Sequence, residues 1–167
     1  DAGEHLLKLI TQILDLSKIE SGNVELSIGT YGLNTLVNTC VSIISPIADS
    51  QSIHVDNKVN LIDTYINVDE MRFKQIILNL LSNAIKYNSD NGEIIITSSL
   101  VENNMLRLSI SDTGKGLTQK QQKEMFMPFE RLGAEHSDIE GTGLGLAISK
   151  NLIERMDGTI GVESEVG

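Results

Sequence analysis

The spacing of apolar side chains predicts helices along much of the chain. Over residues 4–20 almost every side of a helix is apolar, so we expect this helix to bury two faces, as helices in bundles and dimers do. Apolar residues three and four positions apart predict further helices. These cover residues 33–50, 69–87, 118–125 and 143–156.

Alternating apolar and polar residues predict strands between the helices. We expect strands over residues 24–28, 53–57, 65–68, 93–100, 105–112 and 159–163. Because the strands and helices are mixed without strict alternation, the pattern predicts the α+β class. The expected architecture is a two-layer α/β sandwich with the first helix in front of it.

Composition and charge exclude several classes of protein. Of the 167 residues, 40% are hydrophobic and 22% are charged, which is typical of a globular domain. The formal net charge of −10 disfavours nucleic acid and anionic membranes as partners. The single cysteine, Cys40, excludes an internal disulfide and a cysteine-based zinc site, and is typical of a reducing compartment.

Two glycine clusters have the chemistry to approach a nucleotide. The first is Asp112–Gly116, and the second is Gly141–Leu146, which opens the last predicted helix. Backbone amides at the start of a helix can bind phosphate. Neither cluster has the spacing of a P-loop or a Rossmann motif, and a loop that only caps a helix has a similar composition. The glycines alone leave both interpretations open.

Asp112 stands at the end of a predicted strand whose alternate apolar residues share one face. If Asp112 continues that face, its carboxylate needs a hydrogen-bond donor, and the exocyclic amine of adenine is such a donor. The other interpretation is that the strand ends at Ser111 and that Asp112 starts a turn with Gly114. The strand pattern does not decide between them.

Four polar residues share one arc of the predicted helix over 69–87. They are Asn79, Asn83, Lys86 and Tyr87. Amide oxygens can ligate Mg²⁺, and an ammonium can offset phosphate charge. The chain contains thirteen asparagines, so a pair on a solvated helix face is also a simple interpretation.

Taken together, these segments resemble the ATP-binding domain of sensor histidine kinases. Residues 69–87 resemble the N box of that family, and 126–132 resemble its F box. Asp112–Gly116 and Gly141–Leu146 are similar to its two glycine boxes, and all four stand in the family's order. Residues 4–22 resemble the second helix of the family's dimerisation domain.

The resemblance implies a fold and a domain division. Residues 1–22 are then the C-terminal helix of a dimerisation and phosphoacceptor domain, taken from a helical hairpin. Residues 23–167 are an ATP-binding catalytic domain of the Bergerat type that lacks its last strand. We therefore expect the chain to be a piece of a longer protein.

The resemblance also implies the ligands, ATP and Mg²⁺, and the residues that bind them. Asn79 and Asn83 are expected to hold the metal and, with Lys86, to act in catalysis. Asp112 is expected to accept a hydrogen bond from the adenine amine. The residues expected to contact the nucleotide are Asn83, Lys86, Tyr87, Asp112, Gly114, Gly116, Leu117, Phe126, Arg131, Gly141, Thr142, Gly143, Leu144, Gly145 and Leu146. Residues 130–142 are expected to form the ATP lid.

The implied reaction is phosphoryl transfer to a histidine. Hydrolysing members of the superfamily have a glutamate four positions before the second asparagine, where this chain has Asn79. An amide cannot act as a general base at neutral pH. His5, His54 and His136 all lack the family's acceptor motif, so we expect the acceptor to lie outside this piece.

The implied partners are the phosphoacceptor dimerisation domain, a response-regulator receiver domain and, in the parent protein, a second copy in a homodimer. A cytoplasmic location follows from the need for ATP. Three alternatives stay open: a nucleotide-binding regulatory module (a pseudokinase), a Bergerat-type ATPase and a serine kinase of the anti-sigma type. Asn88 stands where the family usually has Ser, Thr or His, and we expect this difference to have little effect.

Overall fold

A computed structural model describes residues 2–22, 24–60, 64–131 and 141–167. Five α-helices lie within these residues: α1 (Ala2–Glu20), α2 (Leu33–Ser50), α3 (Glu70–Lys86), α4 (Gln119–Glu124) and α5 (Gly145–Arg155). The strands described there are β1 (Ile28–Gly32), β2 (His54–Asn57), β3 (Tyr65–Asp69), β4 (Glu93–Val101) and β5 (Met105–Asp112). No helix among the described residues is both long and apolar enough to cross a membrane.

The chain divides into two compact units. One, here called the sheet unit, comprises Ser27–Gly116 together with Val166–Gly167. The other, here called the helical unit, comprises Asp1–Leu26 together with Leu117–Glu165. Helices α2 and α3 and all five strands belong to the sheet unit, and α1, α4 and α5 belong to the helical unit.

Two sheets form the sheet unit. Strands β1 and β3 pair antiparallel, and β4 lies between β2, to which it is parallel, and β5, to which it is antiparallel. Helices α2 and α3 pack on each other. The apolar core of this unit includes Leu33, Val37, Ile77, Leu81, Ile94 and Ile96, each at most 1% exposed. Burying a Leu or Ile side chain contributes about 1.5–3 kcal/mol to the free energy of folding, so this core stabilises the sheet unit, to which α3 and β5 belong.

Asp69 fixes the position at which β3 becomes α3. Its carboxylate caps the helix by accepting from the Arg72 amide at 3.0 Å, and it accepts from the Ser27 amide at 2.9 Å. Burial alone would raise the pKa of Asp69, but these two amides, aided by the nearby Arg72 charge, outweigh it and hold the pKa below its ordinary value. The carboxylate therefore stays ionised at neutral pH and joins the start of α3 to the start of β1.

The helical unit is built around α1 and α5. Leu16 and Ile19 of α1 are buried. Leu144, which immediately precedes α5, and Leu152 within α5 are buried as well. The Arg155 guanidinium donates to the carbonyl oxygens of Ile19 and Gly22 at 2.9 and 3.1 Å. It thereby bonds α5 to two carbonyl oxygens, one in the last turn of α1 and one just beyond the end of that helix.

Two predicted strands are wrong. The described residues 24–27 form no strand, and β1 covers Ile28–Gly32 instead. The pairing register of β1 and β3 ends at Ile28 and Asp69, because the next amide, that of Ser27, is taken by the Asp69 side chain. Residues 159–163 show the alternating burial of a strand, but they have no ladder partner among the described residues, and a strand requires one.

The other elements lie close to their predicted bounds. Helix α2 covers the predicted residues 33–50, and α3 differs from its prediction by one residue at each end. Strands β4 and β5 agree with prediction to within one residue. These elements are defined by local apolar spacing, so a pattern along the chain is enough to find them.

Candidate nucleotide-binding site

One edge of α3 carries the polar residues that share an arc of this helix. Asn79, Asn83 and Lys86 are partly exposed there, as is Tyr87, which ends the helix. The Tyr87 amide donates to the Asn83 carbonyl oxygen at 3.0 Å. The other side of α3 is buried in the core, which confirms the predicted division of this helix into an apolar and a polar side.

Asp112 is the last residue of β5, and it is exposed. Its backbone pairs with Ile94 of β4, and its carboxylate Oδ1 accepts from the Gly114 amide at 2.9 Å. The strand thus extends beyond Ser111, yet the carboxylate starts a turn and is not buried with the inward face. Within the described residues Oδ2 accepts no hydrogen bond, so one carboxylate oxygen is available to an external donor such as an amine.

The two glycines after Asp112 are needed for different reasons. A Cβ atom on Gly114 would lie 2.4 Å from the Tyr87 carbonyl oxygen and 2.7 Å from the Asp112 carboxylate. Gly116 has φ of 68°, a left-handed conformation that favours glycine. We expected both glycines to contact the nucleotide. At Gly114 the structure shows that the neighbour is the chain itself, which brings the end of β5 onto the end of α3.

Sequence reasoning missed two residues at this junction, Asn88 and Thr113. Their side chains are hydrogen-bonded to each other at 2.9 Å, and both also bond to the backbone of Glu93. Asn88 thus has a structural role at this junction. The expectation that its difference from the family's Ser, Thr or His has little effect stays a prediction. The residue types of Asn88 and Thr113 could have indicated their structural role. Asn88 follows the end of α3 and Thr113 follows the last residue of β5, and Asn and Thr side chains at such positions often bond to nearby backbone groups.

In the helical unit, the second glycine cluster is held by main-chain contacts. Gly143 has φ of 71°, and a Cβ atom on it would lie 2.6–2.9 Å from backbone atoms of Phe129. The Phe129 amide donates to the Gly143 carbonyl oxygen at 2.9 Å. Phe129 itself has φ of 65°, which is rare for a bulky residue. Next in the chain, Leu144 is fully buried and immediately precedes α5.

Thr142, in the same cluster, bonds to α1. Its hydroxyl donates to Gln12 Oε1 at 2.6 Å, and it also accepts from the Leu144 amide at 3.3 Å. The hydroxyl of Thr142, a residue that we expected to contact the nucleotide, is therefore hydrogen-bonded to a side chain of α1 in this structure.

Two more predicted site residues of the helical unit have partners within that unit. The Leu117 amide donates to Ser164 Oγ at 2.9 Å, and the Leu117 carbonyl oxygen accepts from Gln122 Nε2 at 2.9 Å. The ring centroid of Phe126 lies 5.9 Å from Lys150 Nζ, within the range of a cation–π contact. These contacts explain the positions of Leu117 and Phe126 without a ligand.

The remaining predicted residues of this unit are partly exposed. They are Arg131, Gly141, Gly145 and Leu146. Most of the expected ATP lid, 132–140, lies outside the described residues, and so does His136.

Comparison with known families decides what kind of domain this is. Residues 68–167 match the family described as Histidine kinase-, DNA gyrase B-, and HSP90-like ATPase. The chain belongs to this family. The match includes α3, β5 and both glycine clusters, and it confirms both the resemblance and the predicted fold class.

Relatives and solved structures similar to the chain are sensor proteins and histidine kinases, so the matched domain is of the kind found in sensor histidine kinases. The chain is 40% identical over 171 residues to the sensor protein EvgS of Escherichia coli O157:H7, which covers 99% of this chain and 14% of EvgS. Full-length ShkA, solved in complex with AMPPNP, is 30% identical with a TM-score of 0.87, covering 99% of this chain and 34% of ShkA. Histidine kinase ThkA, solved in complex with the response regulator protein TrrA, is 25% identical with a TM-score of 0.71, covering 93% of this chain and 43% of ThkA.

The chain spans 14–32% of the length of the first curated relatives it matches. Membership in this ATPase family supports ATP binding by the matched domain.

The candidate metal ligands of this histidine kinase-like domain are amides. Among the described residues, no group of three or more His, Cys, Asp or Glu side chains could hold a metal ion. Asn79 and Asn83 lie one helical turn apart on a partly exposed edge, and their oxygens suit Mg²⁺, which takes its other ligands from water and phosphates. The donor set fits a metal that binds together with a nucleotide.

Proposed function

We propose that the chain binds Mg-ATP and transfers the γ-phosphoryl group to a histidine of a dimerisation helix. The observation that carries this proposal is the polar edge of α3, where Asn79, Asn83 and Lys86 lie on one side of a well-packed helix. The end of that helix is in contact with the strand-end turn that bears Asp112. An amide at position 79 favours transfer over hydrolysis, since it cannot activate water as a base.

Each residue then has a role that its position allows. Asp112 accepts a hydrogen bond from the adenine amine through its Oδ2, and Tyr87 flanks the nucleotide. Lys86 offsets phosphate charge, while Asn79 and Asn83 hold the Mg²⁺, which when bound neutralises charge on the phosphates. The proposed transfer needs mainly positioning and charge stabilisation, and these side chains supply both.

We also propose that the residues of the helical unit that the resemblance implied contact the nucleotide. Gly141, Gly143 and Gly145 present backbone amides at the start of α5, where the helix dipole favours phosphate. Thr142, Leu144 and Leu146 complete this segment. Leu117, Phe126 and Arg131 are the remaining proposed contacts with the nucleotide or its lid.

The proposed partners follow from α1 and from the relatives. Five apolar residues of α1 are 45–66% exposed: Leu6, Leu7, Ile10, Ile13 and Leu14. An apolar surface of this size on one helix favours packing against other helices, so we propose that residues 1–22 belong to a dimerisation domain and that the parent is a homodimer. Residues 23–167 are the proposed catalytic domain. A response regulator and a cytoplasmic location are proposed on the basis of the sensor kinase relatives.

The test is phosphoryl transfer to a supplied acceptor. The chain is incubated with Mg²⁺, γ-labelled ATP and an intact dimerisation domain, and the labelled product is treated with acid and with base. The expected label is acid-labile and base-stable, as phosphohistidine is. Asn83→Ala is expected to abolish the label, whereas the control Asn67→Ala, which changes an amide of β3, is expected to retain it.

Other outcomes identify the alternatives. Nucleotide binding without any label on the acceptor would indicate a regulatory module. Sustained phosphate release by the pure chain would indicate an ATPase, and an acid-stable label would indicate a serine kinase. Each of these three results would overturn the proposed transfer to histidine.

A further inference from the structure

The end of α3 and the end of β5 are joined by a compact set of side-chain hydrogen bonds. Thr113 Oγ1 donates to Asn88 Oδ1 at 2.9 Å, and Ser89 Oγ donates to the Thr113 carbonyl oxygen at 2.7 Å. Asn88 Nδ2 donates to the Glu93 carbonyl oxygen at 3.2 Å. We call these four residues, Asn88, Ser89, Glu93 and Thr113, the Asn88–Thr113 clamp.

The clamp continues the sheet by one residue beyond the strand. The last backbone pair of β4 and β5 is Ile94 with Asp112. One position further, the Thr113 amide still donates to the Glu93 carbonyl oxygen at 3.2 Å, and the Glu93 amide donates to Thr113 Oγ1 at 2.9 Å. The threonine hydroxyl thus takes the place of a backbone acceptor, and Thr113 is held where a strand end would otherwise fray.

The position of Asp112 depends on this arrangement because the residue is exposed. No burial in the core holds its carboxylate. Its backbone is held by the β4 ladder on one side and by Thr113 on the other, and its Oδ1 is held by the Gly114 amide. The orientation of the free oxygen, Oδ2, is therefore set by residues 113 and 114.

The chain leaves space for the clamp at Gly92. This glycine is buried, and a Cβ atom on it would lie 2.2 Å from Asn88 Oδ1 and 2.8 Å from the Ser89 carbonyl oxygen. A side chain at position 92 would displace Asn88. The requirement for glycine here is thus imposed by the clamp itself.

We propose that Asn88 and Thr113 are positioning residues that set the preference of the site for adenine over purines without the exocyclic amine. They act through Asp112, whose Oδ2 must meet that amine in a narrow range of geometry. This inference rests on the proposed function, in which Asp112 binds adenine.

The experiment measures the dissociation constants of ADP and inosine diphosphate by calorimetry in the presence of Mg²⁺. Hypoxanthine has a carbonyl oxygen in place of the exocyclic amine and a proton on N1. The ratio of the two constants therefore reports on the contacts made to this edge of the base, to which Asp112 is the proposed partner. Thr113→Val removes the hydroxyl with little change of shape, and it is expected to reduce the preference for ADP about three- to tenfold. Thr113→Ser keeps the hydroxyl and is expected to retain the preference.

The matched control is Thr30→Val. Thr30 Oγ1 donates to Asn67 Oδ1 at 2.8 Å between β1 and β3, so this variant loses the same kind of bond elsewhere in the sheet unit. Its preference for ADP is expected to be unchanged. Asn88→Ala provides a second variant that keeps Thr113 and its bonds to Glu93, and it is expected to reduce the preference in the same direction.

The outcomes separate the inference from the proposed function. If the unmodified chain prefers ADP but Thr113→Val and Asn88→Ala weaken ADP and inosine diphosphate equally, or leave both unchanged, the clamp has only a structural role and the inference is overturned. If the unmodified chain does not bind ADP, the proposed function itself fails. In a double variant that combines Thr113→Val with Asn88→Ala, the two effects on the preference for ADP are expected to be non-additive, because the two side chains share one hydrogen bond.

Discussion

The two units hold their candidate site segments in different ways. In the sheet unit, side chains join the end of α3 to the end of β5, through the Asn88–Thr113 bond and the Asp112 carboxylate. In the helical unit, the glycine-rich segment is held by backbone contact between Gly143 and Phe129 and by a single side-chain bond, from Thr142 to Gln12. Under the proposed function, side chains of the sheet unit would select the base, whereas backbone amides at the start of α5 would bind the phosphates, which are alike in every nucleotide.

This division has a physical basis. A purine is distinguished by the donors and acceptors on its edge, and a carboxylate selects an amine only if its direction is fixed. Phosphate oxygens accept from any amide that points towards them, so a helix start with glycines is sufficient. Four changes test the comparison, described from the largest expected effect to the smallest.

Gly143→Ala is expected to have the largest effect. The new Cβ would collide with the Phe129 backbone, and the residue would also have to adopt φ of 71°. We expect the free energy of unfolding in urea to fall by about 2–4 kcal/mol. The control Gly22→Ala has a similar φ of 76° in open space and is expected to lose only about 1–2 kcal/mol. Equal losses would show that backbone contact with Phe129 does not hold this segment.

Asp112→Ala is the next largest. It removes a charge-assisted hydrogen bond to the base, worth about 1.5–3 kcal/mol. The affinity for ADP, measured by calorimetry, is expected to fall by roughly 10- to 150-fold. Asp56→Ala changes another carboxylate of the sheet unit, one that pairs with Lys58 at 2.9 Å, and is expected to leave the affinity unchanged. Unchanged ADP affinity in the Asp112 variant would remove this residue from the site.

Arg155→Ala tests how α1 is held in the helical unit. Losing the two bonds to the carbonyls of Ile19 and Gly22 is expected to cost about 1–2 kcal/mol and to speed hydrogen exchange of the Ser21 amide, which closes the last turn of α1. Arg155→Lys is expected to recover only part of the lost stability, since the Lys ammonium cannot reproduce the geometry of the planar guanidinium, which donates to both carbonyl oxygens. Lys120→Ala, a basic residue of the same unit, should change neither measurement. Unaltered exchange in Arg155→Ala would contradict this role.

The smallest effect concerns pH. Because the folded pKa of Asp69 lies below its ordinary value, its stabilisation is present above about pH 4 and is lost as pH falls through the folded pKa. Asn also caps helices but does not titrate in this range, so the stability difference between the unmodified chain and Asp69→Asn is expected to shrink below pH 4. Urea unfolding of both proteins at several pH values measures this difference in the free energy of unfolding. A difference that stays constant to pH 2 would show that this carboxylate does not titrate on unfolding.

Local patterns were sufficient for much of the fold. The sequence alone predicted α2, α3, β4 and β5 nearly to the residue, because apolar spacing and caps act within one element. It also grouped Asn79, Asn83 and Lys86 on one edge, since helical periodicity determines which residues share a face.

Contacts distant in the chain were decided only by the tertiary structure. The start of β1 depends on a hydrogen bond from Ser27 to Asp69. Residues 159–163 have no ladder partner in the part of the chain that the structure describes, and a strand depends on a partner as well as on its own pattern. Gly114 is required by the Tyr87 carbonyl, and Asn88 reaches Thr113 across 25 positions. Periodicity along a chain indicates which face of a helix or strand a residue occupies. It carries no information about which residues of other elements pack against that face, and hydrogen bonds and steric fit depend on those residues.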